Sequence, residues 1–163
     1  MLFLAGHGVS AQEGKFFFLP SDAAMSAGKV VEASRAISGD EIMTALDAPG
    51  NRLVFIDACN SGGVDSDRMV RSLMDTNAFV FAASRGQELS YESRELGHGF
   101  FTHSILTALK GEPAALSQGN VSVLSMSGFV KSDVPRRTGG RQNPSAYSLG
   151  FYDFPMALIN ASR

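Results

Sequence analysis

Three residues with catalytic potential lie in two short stretches of this 163-residue chain. Cys59 is the single cysteine, His7 is one of three histidines, and Asp57 stands two positions before the cysteine. A thiol with a free pKa near 8.5 needs a base to become an effective nucleophile, and histidine can supply it. Such a pair attacks a carbonyl carbon and returns a proton to the leaving amine. Most lone cysteines and histidines are structural, so their position in the chain must decide.

Both candidate residues follow apolar runs that have the composition of buried strands. Residues 2–5 and 52–58 are continuous, branched and aromatic, and glycine or polar residues follow each run. In an open α/β sheet the carboxyl ends of the strands meet at one edge, where ligands bind. His7 and Cys59 are therefore predicted to meet there, from neighbouring strands about 4.8 Å apart.

Three roles are open for Asp57. Positions two apart on a strand share a face, so its carboxylate serves the side of Cys59. It can recognise a basic side chain of a substrate, orient His7, or close a turn at the strand end. The first role is favoured because a carboxylate in a partly dry pocket pairs best with an arginine fork.

Composition limits the partners and the compartment. A net charge of −2 gives no field that attracts nucleic acid, and no apolar run approaches the roughly 20 residues of a membrane span. The start lacks the basic lead-in of a signal peptide, and one cysteine forms no internal disulfide, which favours the cytoplasm. Asp65 and Asp67 fall short of the six or more oxygens that calcium prefers, so no metal is predicted.

Periodicity and turn signals predict the remaining elements of an α/β domain. Strands are predicted over 15–19, where Pro20 closes a hairpin strand, and over 77–83. Helices are predicted from the capping box of Ser38 and Glu41 to about Leu46, over 101–109 before Gly111 and Pro113, and over 122–134, with a loop over 136–144.

The ordered motifs resemble the caspase and metacaspase superfamily of cysteine peptidases. Gly6-His7-Gly8 and Asp57-Ala58-Cys59-Asn60-Ser61-Gly62-Gly63 each follow a strand, and the second motif is similar to the Asp-x-Cys-x-Ser-Gly-Gly pattern of metacaspases and their bacterial relatives. It departs from the caspase pattern Gln-Ala-Cys-Arg-Gly at Asp57 and Asn60. The separation of His7 and Cys59 fits the roughly 50 residues of caspases. The strand, loop and helix that complete the substrate cleft are resembled by Ala83-Ser84-Arg85-Gly86-Gln87-Glu88, then Ser90, Glu92 and Gly97-His98-Gly99-Phe100-Phe101-Thr102.

The resemblance implies a three-layer α/β/α sandwich with a mostly parallel sheet, as a single catalytic domain over residues 1–163. It implies a thiol endopeptidase that acts on peptide or protein substrates. Some metacaspases need calcium, but no cofactor is predicted for this chain. His7 and Cys59 would form the dyad, and the backbone N–H groups of Gly8 and Cys59 the oxyanion hole. Asp57 would line the S1 pocket and select Arg or Lys, with Ser84 in the cleft wall.

The resemblance assigns no catalytic position to the other two histidines. His98 is expected in a loop and His103 on a helix. Segment 63–77 is too short for the long cleavable linker of many caspases, although Arg68 and Arg71 are candidate nicking sites.

The chain also departs from the family pattern at its start. The strand, helix and strand that usually precede the His-bearing strand are missing, so the domain is expected to be N-terminally incomplete. Residues 2–4 are then expected to form an exposed sheet edge. A partner or a missing N-terminal segment would complete the sheet.

Two other functions remain open. A non-catalytic signalling or scaffold protein would keep the fold and the peptide cleft without turnover; the missing N-terminal portion favours it, and intact Cys59 and His7 disfavour it. A flavodoxin-like small-molecule binder would need a phosphate-cradling loop. The sequence contains no dinucleotide or P-loop glycine pattern.

Overall fold

The computed structural model describes residues 1–10, 16–20, 25–26, 29–30, 35–47, 49–60, 73, 78–85, 88–148 and 153–159. Some of these are described by their backbone alone: Ser10, Met25, Ser26, Lys29, Val30, Cys59 and Asn60. The predictions for the glycines after Cys59, for Asp65 and Asp67, and for nicking at Arg68 and Arg71 lie outside the described residues. None of the helices in the described ranges is long and apolar enough to cross a membrane.

The described elements are twelve strands, three helices and a short 3₁₀ turn. The strands are β1 (Leu2–Ser10), β2 (Phe16–Leu19), β3 (Met25–Ser26), β4 (Lys29–Val30), β5 (Ile37–Ser38), β6 (Arg52–Asn60), β7 (Ala78–Ala82), β8 (Glu92–Ser93), β9 (His98–Gly99), β10 (Asn120–Ser122), β11 (Ser145–Tyr147) and β12 (Pro155–Leu158). The helices are α1 (Gly39–Ala45), α2 (Phe100–Leu109) and α3 (Val123–Thr138), with a 3₁₀ turn at Pro113–Ala115.

A mixed six-stranded sheet with the order β11-β7-β6-β1-β2-β5 forms the centre. Its middle strands β7, β6 and β1 run parallel, while β11, β2 and β5 pair antiparallel with their neighbours. Small two-stranded sheets join β10 to β12, β3 to β4 and β8 to β9.

Apolar side chains cover both faces of this sheet, because successive residues of a strand point to opposite sides. Phe55 of β6 packs in the layer of α2 and α3, whereas Val54 and Ile56 pack in the layer of α1. Phe55 also stacks on Phe81 of β7, with ring centroids 4.9 Å apart. The predicted α/β/α sandwich is confirmed, with a helix layer on each side of the sheet.

The first two predicted helices are confirmed at their signals. The Glu41 N–H donates to Ser38 Oγ at 3.2 Å, and the Ser38 N–H donates to Glu41 Oε2 at 2.7 Å, which completes the capping box. The backbone and hydroxyl donors of Ser38 lower the pKa of Glu41. Helix α2 ends at Leu109, just before Gly111 at a φ of 90°.

Helix α3 departs from its prediction at the carboxyl end. The helix was predicted to end at about Val134, and the next residue, Pro135, lacks the backbone donor that a helix interior uses. The helix instead continues to Thr138 and ends on Gly139 in the left-handed conformation. Arg136 and Arg137, predicted in a loop, lie in the last turn, where both donate to Asp133 one turn earlier. These side-chain bonds hold the turn that the proline weakens.

Strand β1 is longer than residues 2–5 because it pairs on both sides farther along. Strand β6 pairs with residues 2–8, and β2 pairs with residues 7–10. Along residues 2–6 the described part of the chain supplies a partner on the β6 side, and Phe3 is 40% exposed.

Candidate active site

Neighbouring parallel strands carry the two candidate catalytic residues side by side. The register of β1 and β6 places His7 opposite Cys59 and Gly8 opposite Asn60. Adjacent strands lie about 4.8 Å apart, so the backbones of His7 and Cys59 are as close as a sheet allows. The sequence placed both residues beyond the ends of their strands. The structure corrects this, because strand pairing continues through Gly8 and Asn60.

Strand alternation assigns the positions of His7, Asp57 and Cys59 to one face of the sheet. It is the face of α2 and α3, since Phe3, four residues before His7 and on the same face, lies against Phe55 with ring centroids 5.8 Å apart. His7 is exposed to solvent. An imidazole on this face is therefore accessible to a substrate that lies across β1 and β6.

The glycines on either side of His7 make room for aromatic side chains of β2. A Cβ at Gly8 would lie 2.6 Å from Cε2 of Phe16, and a Cβ at Gly6 would lie 3.0 Å from Cζ of Phe18. Both rings belong to the apolar layer of α1. The Gly-His-Gly motif thus serves packing on one face while presenting His7 on the other.

For the predicted oxyanion hole, the structure describes the position of Gly8 in the central sheet. Gly8 pairs with Asn60 of β6 and with Phe18 of β2, so it lies inside the sheet. Its N–H group therefore lies near the plane of the sheet, between two strands. The oxyanion role of Gly8 and Cys59 stays a prediction.

The Asp57 carboxylate is held by two hydroxyl groups from distant parts of the chain. Ser90 Oγ donates to Oδ1 at 2.9 Å, and Thr102 Oγ1 donates to Oδ2 at 2.5 Å. Thr102 lies in the first turn of α2, whose positive end favours a nearby carboxylate. No contact described for Asp57 reaches His7 or closes a strand-end turn. The substrate-binding role of Asp57 stays a prediction.

A buried amide that the sequence analysis missed stands behind Ser90. Gln142 is fully buried, and its Nε2 donates to the Ala83 carbonyl at 2.9 Å and to Ser90 Oγ at 3.2 Å. Its Oε1 accepts the Tyr91 N–H at 3.0 Å. The sequence placed Gln142 in a polar loop, and nothing in the local sequence distinguishes it from its neighbours there.

Comparison with known proteins agrees with this geometry. A family model described as the caspase domain matches residues 1–153, nearly the whole chain. The chain belongs to the caspase-domain family. This membership confirms the resemblance to caspases and places the chain with cysteine peptidases, a class of hydrolases. No curated protein matches the chain.

Two further predictions concern Ser84 and a bound metal ion. Ser84, predicted in the cleft wall, follows β7 and is buried, and its hydroxyl donates to the Glu88 carbonyl at 3.0 Å. The described ranges contain no group of three or more His, Cys, Asp or Glu residues that could hold a metal ion. Asp65 and Asp67 lie outside those ranges.

The other two histidines lie together beside α2. His98 lies in β9 rather than in the predicted loop, because its segment turns back and pairs with Ser93 of β8. His103 lies on α2 as predicted, and the two ring centroids are 5.5 Å apart. Burial, and then the positive charge of Arg137 and the neighbouring His98, lower the pKa of His103.

A buried carboxylate joins α2 to α3 away from the two candidate catalytic residues. Asp133 is 1% exposed and accepts hydrogen bonds from Ser104 Oγ at 2.7 Å, from Arg137 Nε at 2.6 Å and from Arg136. Burial raises the pKa of Asp133, but these three donors outweigh it and lower that pKa overall. Asp133, Arg136 and Arg137 line a pocket of about 310 Å³ between the two helices and the 3₁₀ turn.

Proposed function

We propose that this caspase domain is a thiol endopeptidase, nearest to metacaspases, that cleaves peptide bonds after arginine or lysine. The observation that carries the proposal is the parallel register that sets His7 beside Cys59. The Asp57 carboxylate, two positions from Cys59 on the same strand, supports the substrate preference.

The proposed reaction has two steps that use the same pair of residues. His7 takes the thiol proton of Cys59, and the thiolate adds to the carbonyl carbon of the scissile bond. His7 then protonates the amine, the C–N bond breaks, and a thioester remains on Cys59. A water molecule that loses its proton to His7 attacks the thioester, releases the carboxylic acid and restores the thiol.

Asp57 would define the substrate by charge. A guanidinium or ammonium group entering beside it gains a charge-assisted hydrogen bond, which is roughly twice as strong as a neutral one. An aspartate side chain in the same place would force two carboxylates together in a partly dry pocket. The proposed cleavage is therefore after basic residues, unlike the cleavage after aspartate of true caspases.

A peptide library varied at the residue before the scissile bond tests this function. The wild-type protein is expected to cleave after Arg or Lys, and Cys59→Ala and His7→Ala are expected to abolish cleavage without loss of folding. His103→Ala serves as the matched control, since His103 lies on α2 and outside the β1–β6 pair. Unchanged cleavage by Cys59→Ala would exclude thiol catalysis. A folded wild-type protein that binds basic peptides without cleaving them would favour the non-catalytic scaffold.

A further inference from the structure

We infer that Ser90, Thr102 and Gln142 are positioning residues that hold Asp57 for two-pronged recognition of an arginine side chain. The inference rests on the proposed function and deepens it, because it ranks arginine above lysine. Each of the three residues lies outside β6, and each acts on the substrate only through Asp57.

The two hydroxyl groups donate to different oxygens of the Asp57 carboxylate. An ionised carboxylate offers about four acceptor sites, two on each oxygen. Ser90 occupies one site on Oδ1, and Thr102 occupies one on Oδ2. Among the contacts of the described residues, each oxygen therefore keeps one acceptor site. Two parallel N–H groups of a guanidinium can fill both sites at once, whereas a lysine ammonium is a single point charge.

Gln142 fixes the direction of the hydrogen bonds that reach Asp57. The Ala83 carbonyl must receive a donor and the Tyr91 N–H must find an acceptor, so the amide of Gln142 has one orientation. Its Nε2 then donates to Ser90 Oγ, which leaves the Ser90 proton for Asp57. The chain of donors runs from a fully buried amide to the carboxylate, and low local polarity strengthens each bond in it.

The close approach of Gly99 to Asp57 is an independent observation that the surroundings of the carboxylate fix its position. A Cβ at Gly99 would lie 2.8 Å from Asp57 Oδ2, which is closer than atoms can approach without movement. Gly99 is also the N-cap of α2 and makes no side-chain cap hydrogen bond. Serine, threonine, asparagine or aspartate usually fills that position. Here the missing side chain leaves space for Asp57.

Matched peptides that carry arginine, lysine or citrulline before the scissile bond test the inference, because citrulline keeps the shape of arginine without its charge. The wild-type kcat/KM is expected to fall in that order. Thr102→Val should reduce the arginine-to-citrulline ratio on the order of tenfold, since it removes one hydrogen bond to a charged group. Thr102→Ser should restore the ratio. Thr107→Val is the control on the same helix, because the Thr107 hydroxyl donates to the His103 carbonyl instead.

A second readout separates this inference from the proposed function. In the Cys59→Ala background, calorimetry measures binding of the same peptides without turnover. If the wild-type protein cleaves nothing but Thr102→Val weakens arginine-peptide binding about tenfold, the proposed function fails and the positioning role stands. If the wild-type protein cleaves after arginine and Thr102→Val and Ser90→Ala both keep the full arginine-to-citrulline ratio, the positioning role is overturned. Equal rates for arginine and lysine would overturn the ranking.

Discussion

At Asp57, a single substitution can remove the charge of the side chain and leave its shape almost unchanged. Replacement by Asn keeps the size of the side chain but removes its charge, so a bound arginine loses a charge-assisted pair. Asp57→Asn should lower kcat/KM for arginine substrates by about 10²-fold, as for a desolvated charge pair worth about 3 kcal/mol. Citrulline substrates should be much less affected. Steady-state kinetics on matched peptides measure both.

The control for this substitution is Asp47→Asn, which makes the same chemical change at an exposed residue after α1. It should leave both substrates unchanged. Cleavage mainly after aspartate by the wild-type protein would contradict the assignment of Asp57.

We expect His103 to make the stability of the protein depend on pH, because its pKa is lowered in the folded chain. Burial, Arg137, His98 and Lys110 lower its pKa from 6.5, and Asp133 opposes them, so the unfolded chain binds the proton more tightly. The stability contributed by neutral His103 is complete above about pH 6.5 and is lost as the pH falls below that value. The urea concentration at the unfolding midpoint should therefore decrease as the pH is lowered from 7.5 to 5.5. The decrease should be smaller in His103→Gln. An identical slope in the variant would contradict the assignment.

For individual residues, the sequence was enough to identify the reactive side chains but not the residues that hold them in position. Cys59, His7 and Asp57 were found because residue type and strand position limit what each can do. Ser90 was placed only in a segment that resembles the substrate cleft, and Gln142 was given no role, because the contacts of Ser90 with Asp57 and with Gln142 span separations of 33 and 52 positions. Such contacts depend on how the elements pack, which residue spacing does not specify.

At the scale of elements, the pairing of β1 with β2 depends on Gly8. A methyl group there would meet the Phe16 ring at 2.6 Å, so Gly8→Ala should destabilise the protein by about 1–3 kcal/mol through overpacking. Phe16→Leu removes the ring atoms, and the double variant should be more stable than the sum of the two changes predicts. Denaturant unfolding of all four proteins gives this coupling. Strict additivity would show that the ring is not the cause.

The contact between α2 and α3 depends on the Asp133 carboxylate. Asp133→Asn leaves Arg137 and Ser104 without a charged acceptor in a buried place and should cost about 2–3 kcal/mol. Arg136→Gln should cost less than about 1 kcal/mol, since the Arg136 side chain is 70% exposed. Thermal and urea unfolding rank the two variants. A larger effect at Arg136 than at Asp133 would contradict this account of the contact.

The types of the larger elements were predictable from local patterns, whereas some of their ends were not, and the short strands β3–β5 and β8–β12 were not predicted. Strands β2, β6 and β7 and helices α1 and α2 begin and end within two residues of their predicted bounds. Strand β1 extends past Ala5 because β2 and β6 continue to pair with it. Helix α3 passes Pro135 because two arginines bind Asp133. In both cases a contact outside the local pattern decides the end.

At the scale of the whole molecule, the strand order and register of the central sheet determine which residues lie next to one another at the candidate site. Strand β1 lies between β6 and β2, and its pairing with β2 begins at His7. For residues 2–6 the described neighbours lie on the β6 side, and completion by a partner or a further segment stays a prediction.

The central claim is that Cys59 is a nucleophile activated by His7 in a cleft that accepts arginine. Titration with an arginyl acyloxymethyl ketone, read by intact-protein mass spectrometry, tests it most directly because the chain has a single cysteine. We predict one label per chain, none on Cys59→Ala, much slower labelling of His7→Ala, and aspartyl ketone labelling slower by about 10²-fold. Labelling of the folded protein no faster than that of the urea-unfolded chain, or equal rates for the arginyl and aspartyl ketones, would contradict the account.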